Sequence, residues 1–451
     1  FQAYAEDRGL LPYDRNERYT NNALKTLIIR DLIPNTENQF DPESQTLWDD
    51  LTQVWHAIDG GAKSWNVPAY NGGLFGEEED LHYEGYLIKQ MAMHDDAMGP
   101  ALKHMFVDVS DEGVQGPVDF RSLSVREFGT IYEGLLESSL SLADQDLTVD
   151  SKGAWVPANK DDQVLAAKGE VYFHSSSGER KATGSYFTPS IIVDHLLDRA
   201  LEPALEQHFV RVKAELDAGN EVRAHEIFFD FRVADLAMGS GHFLVSAVDR
   251  IESAMRNFLV ENNVPGVSRE LQRLEVAAKE ALGDDYQFAG DIDKAGLLRR
   301  QIARRCIYGL DINPLAVELS RLALWIHTFV PGLPMSSLDH GLVCANSLTG
   351  IGTIDEALEA LEPNSTGGQI SIFEGAISDA LDKAKNLLVD AANADEANKQ
   401  EVKDAAKIAK QARKAAESTK HLFDAAVAAR LGEVNAANFV DPDSVREMGA
   451  S

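Results

Sequence analysis

The stretch at residues 233–244 reads Val233-Ala234-Asp235-Leu236-Ala237-Met238-Gly239-Ser240-Gly241-His242-Phe243-Leu244. A short apolar run ends in an acid, a tight Gly-Ser-Gly turn follows, and an amphipathic segment begins at once. This order is typical of a buried strand that enters a helix through a glycine loop, where the backbone can approach a nucleotide-like ligand. Many ordinary turns also carry two glycines, so the loop alone is equally compatible with a turn that binds no ligand.

A second apolar run, Cys306–Leu310, also ends in an acid, Asp311. Apolar residues then recur at helical spacing from Leu315 to Ile326, which predicts a helix. In dinucleotide-type folds an acid at the end of the second strand bonds ribose hydroxyls, usually about 20 residues after the glycine loop. The separation here is larger, so we expect an insertion, and the polar stretch from Glu261 to Lys294 is the candidate.

Two further blocks complete the pattern. Gly341–Leu348 predicts a third strand, which ends near the amide Asn346. Upstream of the glycine loop, Gly184–Pro189 contains a Thr-Pro pair and leads into a helix predicted to begin near Ser190. Taken alone, a Thr-Pro pair that opens a helix is more often a structural cap than a functional site.

In this order, the four blocks resemble motifs X, I, II and III of gamma-type adenine-N6 DNA methyltransferases. The matching residues are Gly184–Pro189, Asp235–Leu244, Asp311–Pro314 and Ala345–Leu348. Three stretches are similar to the region before the methylase core of large type IIG restriction–modification enzymes and of BREX-like phage-defence methyltransferases: Phe1–Pro12, Pro68–Phe75 and Ile131–Glu137. The resemblance covers roughly the first 350 residues.

The resemblance implies an α/β fold with a Rossmann-like, class I S-adenosylmethionine-dependent methyltransferase core. We expect a mostly α-helical domain at residues 1–175, the core at 176–352, a helical hairpin at 353–433 and a tail at 434–451. Within the first domain, the spacing of apolar residues predicts a helix over Leu123–Leu140.

The implied cofactor is S-adenosylmethionine, and five residues are expected around its methionine end. Asp235 would accept bonds from the ammonium group, directly or through water. Gly239 and Gly241 would let the backbone approach, and Ala237 would leave room. Thr188 would supply a hydroxyl.

Three residues are expected at the nucleoside end of the cofactor. Asp311 suits the ribose diol, Ile312 would lie against the adenine, and Asn346 would read its amino edge. Each acid taken alone could instead be a helix N-cap or a turn residue.

The family's catalytic motif, Asn-Pro-Pro followed by an aromatic residue, does not occur in this sequence. The nearest approach, Asn313-Pro314-Leu315, belongs to motif II. We therefore assign no catalytic residue and no metal ligand. We expect the chain to be a portion of a longer enzyme that binds cofactor and does not methylate by itself.

The charge balance argues against tight DNA binding by most of the protein surface. Lys and Arg number 42 against 73 Asp and Glu, for a net charge of −31. DNA binders usually carry a basic footprint because affinity comes largely from neutralised phosphates. We expect double-stranded DNA to be bound through the full-length enzyme. A local basic groove is still compatible with this charge, since four arginines lie close together just before the second strand: Arg299, Arg300, Arg304 and Arg305.

Other compositional features are those of an ordinary globular protein. No apolar run approaches the roughly 20 residues that span a bilayer, so we expect no membrane partner. Cys306 and Cys344 are too few for a disulfide framework, and a reducing cytoplasm fits. Trp48, Trp55 and Trp65 could stack on bases, but aromatic core positions are the favoured interpretation.

The Ala- and Lys-rich segment Ile372–Leu431 predicts a long antiparallel helical hairpin with a break at Asn393–Asn398. It could be an arm that touches DNA or another domain, although a solvated excursion is the simpler interpretation. Glu401–Lys403 is expected on an exposed helix face.

Two alternatives differ in class. The same fold could serve as a non-catalytic DNA-defence scaffold with a purely structural glycine loop. A nucleotide-dependent oxidoreductase would also use a strand, glycine loop and helix. Against it, Leu244 stands where the third glycine of Gly-x-Gly-x-x-Gly would be.

Overall fold

The computed structural model describes most of the 451 residues. The described ranges are 1–70, 74–79, 82–121, 138–150, 153–159, 162–175, 188–283, 292–335, 338, 340–361, 370–394 and 396–433. Parts of three expected motifs lie outside them: Asn71–Gly73, Ile131–Glu137 and Gly184–Phe187.

Helices form the first hundred residues. They are α1 Gln2–Asp7, α2 Glu17–Asn22, α3 Leu24–Leu27 with a π-turn over Ile28–Leu32, α4 Thr46–Gly60, α5 Tyr83–Lys89 and α6 Asp95–Phe106. Trp48 and Trp55 meet edge to face at 6.0 Å between ring centroids and pack against an apolar cluster of these helices. Trp65 meets Tyr19 in the same way. The aromatic core interpretation of the three tryptophans is therefore confirmed.

Short strands, and not helices, occupy the described residues between Val107 and Ser175. They are β1 Val107–Val109, β2 Gln115–Pro117, β3 Ser138–Leu142, β4 Leu147–Val149, β5 Trp155–Pro157 and β6 Val171–Ser175. They pair antiparallel as β1–β2, β3–β6 and β4–β5. In the described part of residues 1–175, the expected helices thus occur up to Phe106.

The helix predicted over Leu123–Leu140 is wrong at its described end. Ser138–Leu142 reads Ser-Ser-Leu-Ser-Leu and forms β3, in register with β6 from Ser175 to Val171. The period-two alternation of leucine and serine favours a strand at this point. Residues 122–137 lie outside the described ranges.

Helices and three parallel strands alternate in the next part of the chain. The helices are α7 Ser190–Leu196 with a π-turn over Leu197–Leu201, α8 Glu202–Asp217, α9 Glu221–Phe228, α10 His242–Glu261, α11 Pro265–Leu282, α12 Lys294–Arg305 and α13 Pro314–His327. The strands are β7 Val233–Asp235, β8 Ile307–Asp311 and β9 Leu342–Cys344. The predicted strands, the glycine turn and the following helices all occur at the expected positions.

The three strands form one parallel sheet in the order β7–β8–β9. Val233 faces Ile307, and Gly309 faces Leu342. An extended apolar core covers this region and draws on α10, α11, α12 and α13. The segment expected as a polar insertion contains α11, whose buried residues are Val267, Leu271, Leu274, Ala278 and Leu282. It is therefore part of the core, because its apolar residues share one helix face.

The predicted hairpin is present as α15 Ile370–Asn393 and α16 Lys399–Arg430, preceded by α14 Ile354–Leu361. The expected break is confirmed: α15 ends at Asn393, and the Asn398 side chain caps α16 by accepting from the Glu401 backbone N–H. Described residues end at Glu433.

The hairpin is docked at its turn and is not a solvated excursion there. Arg304 Nε lies 2.8 Å from Glu396 Oε2, and both side chains are fully buried. Lys399 Nζ bonds Asp59 at 3.0 Å, and Lys403 pairs with Glu78. The exposed face expected for Glu401–Lys403 is therefore wrong, since Val402 is buried between these two ion pairs.

Candidate functional site

The carboxyl ends of the three parallel strands meet at one edge of the sheet. Asp235 ends β7 and Asp311 ends β8, and Asp311 pairs in register with Cys344 at the end of β9. Open α/β sheets bind ligands in the crevice outside this edge. The predicted acids are thereby brought to one side of the sheet.

The glycine loop turns directly after β7. Gly239 and Gly241 both have positive φ, +53° and +79°, a backbone region that favours glycine. A Cβ added at Gly241 would lie 3.0 to 3.1 Å from atoms of Ser320 on α13, while at Gly239 it would meet open space. Gly241 therefore permits close helix packing, and Gly239 leaves the backbone accessible.

Asp311 holds this loop from the neighbouring strand. Its Oδ2 accepts the Gly239 backbone N–H at 2.9 Å, and its Oδ1 accepts the Asn313 backbone N–H at 2.8 Å. Each carboxylate oxygen has two lone pairs, so both retain capacity for ligand hydroxyl groups. Asp311 thus positions the loop and can still bind a diol.

Asp235 lies close to a second negative charge. Its Oδ1 accepts the Ala237 backbone N–H at 3.0 Å. Burial raises the pKa of Asp235, the Ala237 hydrogen bond opposes this rise, and the Asp311 carboxylate adds to it. Two carboxylates at one edge make a site that favours a cationic ligand group, because such a group would offset their repulsion.

Ile312 provides an apolar surface beside the two acids. Its side chain is 55% exposed although it follows a buried strand, and Leu236 in the glycine loop is similarly exposed. Exposed aliphatic groups beside polar ones are typical of a pocket wall that accepts a flat ring. The position expected for adenine contact therefore presents a suitable surface.

Asn346 follows β9 and is exposed. Its Oδ1 accepts the backbone N–H groups of Leu348 at 2.9 Å and Thr349 at 3.2 Å. Because the oxygen already closes this turn, the side chain would offer its Nδ2 donors to a base. That chemistry suits a ring nitrogen better than the amino edge expected from the sequence.

Thr188 is exposed and directly precedes Pro189, the residue before α7. Arg250 of α10 holds this helical region by ion pairs to Asp198 at 2.8 Å and to Glu202. In the described part of the chain, no hydrogen bond connects Thr188 with the two acids. The structure thus joins the first two strand ends and the glycine loop through hydrogen bonds, and leaves Thr188 apart.

Ser320 is a site residue that sequence reasoning missed. Its Oγ donates to the Gly239 carbonyl at 2.8 Å, so α13 holds the same glycine whose N–H bonds Asp311. The available signal was a small polar residue on the buried face of α13, between Ala316 and Ala323.

The arginines before β8 do not form the basic groove considered above. Arg300 and Arg304 are buried, and both lie near the Glu396 carboxylate. Burial lowers the pKa of both guanidinium groups, and Glu396 opposes that shift. Arg305 pairs with Glu270 at 3.0 Å. These cations stabilise the hairpin and α11, and most of their charge is withdrawn from solvent.

A cavity of about 860 Å³ lies at the other end of the sheet, near the start of β8. Its lining includes Tyr308, Arg305 and Glu270, with Leu388 from α15. None of the predicted site residues lines this cavity. Its volume alone does not make it the functional site, because the chemistry expected of a methyl-donor site lies at the strand ends.

No group of three or more His, Cys, Asp or Glu side chains in the described ranges is arranged to hold a metal ion. Among the helices of this described part, none combines the length and apolarity needed to cross a bilayer.

The chain is similar to a protein that is named as a restriction enzyme and methyltransferase. The relative is a Methanocaldococcus jannaschii protein named as a candidate type II restriction enzyme and methyltransferase, with 22% identity over 439 residues. The alignment covers 86% of this chain and 30% of that protein, so the chain spans less than a third of its relative. No protein-family model and no solved structure matches the chain.

Proposed function

We propose that this chain is the S-adenosylmethionine-binding portion of a site-specific DNA adenine-N6 methyltransferase from a restriction–modification or phage-defence system. The fold proposed for residues 176–352 is the Rossmann-like class I methyltransferase core. The distant relative supports the restriction–modification role. That the substrate is DNA is part of the proposal. Such an enzyme would work in the cytoplasm, where the DNA lies.

The bond between Asp311 and the Gly239 backbone carries the proposal. It joins the acid of the second strand to the glycine loop of the first, at the edge where parallel sheets bind nucleotides. The glycine loop is thereby held beside two carboxylates, those of Asp235 and Asp311. A ligand with a cationic amino-acid end and a ribose diol fits this donor and acceptor set.

The residues would divide the work by chemistry. Asp235 would accept from the ammonium group, and the backbone at Gly239 would pass close to the ligand. Asp311 would bind the ribose hydroxyls, and Ile312 would lie against the adenine ring. When bound, S-adenosylmethionine supplies an electrophilic methyl group on a sulfonium ion.

Methyl transfer would need a target adenine outside the duplex, since its amino group is inaccessible inside the base stack. The base-binding Asn-Pro-Pro-aromatic motif is not in this sequence. This chain's residues would therefore orient the cofactor, and alignment of nitrogen with methyl would supply much of the rate. We expect cofactor binding without methylation.

Calorimetric titration of the full 451-residue chain with S-adenosylmethionine tests the proposal. Saturable binding that Asp311→Ala abolishes would support it, and a parallel titration with NADH should show no binding. If the folded wild-type chain binds no S-adenosylmethionine, the cofactor role fails and the scaffold alternative is favoured. If NADH binds in its place, the oxidoreductase alternative is favoured.

A further inference from the structure

Helix α16 carries a concentrated positive charge in a strongly acidic protein. Residues 407–420 contain five cations and one carboxylate, whereas the whole chain has a net charge of −31. The cations are Lys407, Lys410, Arg413, Lys414 and Lys420, and each is exposed. The carboxylate is Glu417.

These cations lie in rows because of the helical repeat. Lys407, Lys410 and Lys414 are spaced by three and four residues, which aligns them along one side of the helix. Arg413 and Lys420, seven residues apart, form a second row beside it. The face opposite the first row is buried and includes the small residues Ala405, Ala409 and Ala412, and the second row lies at the edge of this buried face. The first row therefore points away from the hairpin's own packing, and the exposed side chains of the second row extend from its border.

The rows are held on an anchored element. The Arg304–Glu396 pair fixes the hairpin turn, and Lys399–Asp59 and Lys403–Glu78 fix the first turns of α16. Lys407 follows one helical turn later. A basic surface on an anchored helix can contact a rigid ligand with little loss of conformational freedom.

We propose that the basic face of α16, defined as residues 407–420, binds the phosphate backbone of duplex DNA. The inference rests on the proposed function for its choice of nucleic acid. These 14 residues of helix extend about 20 Å, comparable to the spacing of several successive phosphates along a strand.

Charge complementarity favours this surface over the rest of the described chain. The acidic remainder repels DNA, so any phosphate contact must concentrate where cations dominate. The other strongly basic stretch, α12, buries Arg300 and Arg304 against Glu396. The neighbouring helix α15 has more acids than cations over Ile370–Asn393. The basic face of α16 therefore matches the charge pattern of a backbone-binding surface.

Fluorescence anisotropy with a labelled random-sequence duplex of about 30 base pairs, at low salt, tests this inference on the full chain. The Lys407→Glu/Lys414→Glu variant should bind at least about tenfold more weakly. The slope of log affinity against log salt should fall by about 2, because each phosphate contact contributes about 0.9. The Lys407→Arg/Lys414→Arg variant should bind like the wild type.

Lys383→Glu/Lys385→Glu is the matched control. It makes the same charge change at exposed lysines of α15, and its affinity for the duplex should stay within about twofold. Equal weakening by both reversals, or no duplex binding by the wild type, would overturn the inference. Salt-sensitive self-association without duplex binding would also overturn it and would favour an acidic protein surface as partner. S-adenosylmethionine titration of each variant tests the cofactor role separately, since α16 contributes none of the proposed cofactor residues.

Discussion

Asp311 and Gly239 are 72 residues apart in sequence, and the Asp311 carboxylate accepts the Gly239 backbone N–H at 2.9 Å. The second oxygen of the same carboxylate accepts the Asn313 N–H. Both oxygens therefore face backbone donors. One side chain therefore holds both the glycine loop and the start of α13, and each of its two carboxylate oxygens accepts one of these hydrogen bonds.

Asp311→Asn should destabilise the folded chain. An amide has only one acceptor oxygen, so its NH₂ group would face a backbone N–H at one of the two contacts. We expect a loss of about 1 to 3 kcal/mol in unfolding free energy, measured by denaturant titration without ligand. Asp293→Asn is the control, because Asp293 caps α12 through one oxygen and Asn is an equally good cap. Similar stability of both variants would contradict the role assigned to Asp311.

Gly241→Ala should disturb the loop for two reasons that can be separated. The residue has φ +79°, and an added Cβ would come within 3.0 to 3.1 Å of Ser320. Gly219→Ala measures the effect of a positive φ alone, since Gly219 has φ +76° and open space around it. Each positive-φ substitution should destabilise by about 1 kcal/mol, and Gly241→Ala should be clearly worse in thermal unfolding. Equal losses would mean that the Ser320 contact relaxes without penalty.

Cofactor affinity should depend on the protonation of Asp235. The raised pKa of Asp235 means that this carboxyl protonates at a higher pH than an ordinary aspartate. Protonation removes the charge that would bind the ammonium group, so affinity should fall as pH falls through the raised pKa. Without ligand the sign reverses: the folded state binds this proton more tightly, so Asp235 lowers stability as pH rises through the same range.

Calorimetric titration with S-adenosylmethionine across the acid range measures this effect. Asp235→Asn should bind more weakly near neutral pH and should lose the pH dependence that the carboxyl causes. An unchanged pH profile in the variant would assign the titration to another group.

Glu396→Gln should loosen the hairpin turn from the core. Glu396 is fully buried near Arg300 and Arg304, so the substitution removes the carboxylate that faces both buried cations. We expect a loss of about 3 to 5 kcal/mol, with faster hydrogen exchange around the start of α16. Glu356→Gln is the control, since it breaks the exposed pair with Arg430, and it should leave the unfolding free energy nearly unchanged. Comparable losses would show that burial of the Glu396 charge is not decisive.

The local order of the core was predictable from the sequence because it depends on short-range patterns. Apolar runs that end in Asp235 and Asp311 predicted two strands, and the glycine pair predicted the turn. Apolar residues at helical spacing from Leu315 to Ile326 predicted α13. The hairpin break at Asn393–Asn398 was predictable for the same reason, since helix ends depend on residues within one turn.

Other features depended on contacts between distant residues. The charge of Arg300 and Arg304 was visible in the sequence, but their burial against Glu396 follows from how α12 meets the hairpin turn. Ser320 became a site residue only because α13 packs beside the glycine loop. Strand β3 was missed because its five-residue alternation is short beside the helical pattern over Leu123–Leu140, and its pairing with β6 depends on residues distant in sequence.

The sequence by itself determined the strand–turn–helix order and the two acids at the strand ends, since backbone geometry and side-chain period are local properties. Only the tertiary structure decided that Asp311 bonds the Gly239 backbone, and that the basic residues divide between a buried cluster at Arg304 and an exposed face on α16. Those outcomes depend on which surfaces meet in space, and burial then decides whether a charge forms a structural pair or faces solvent.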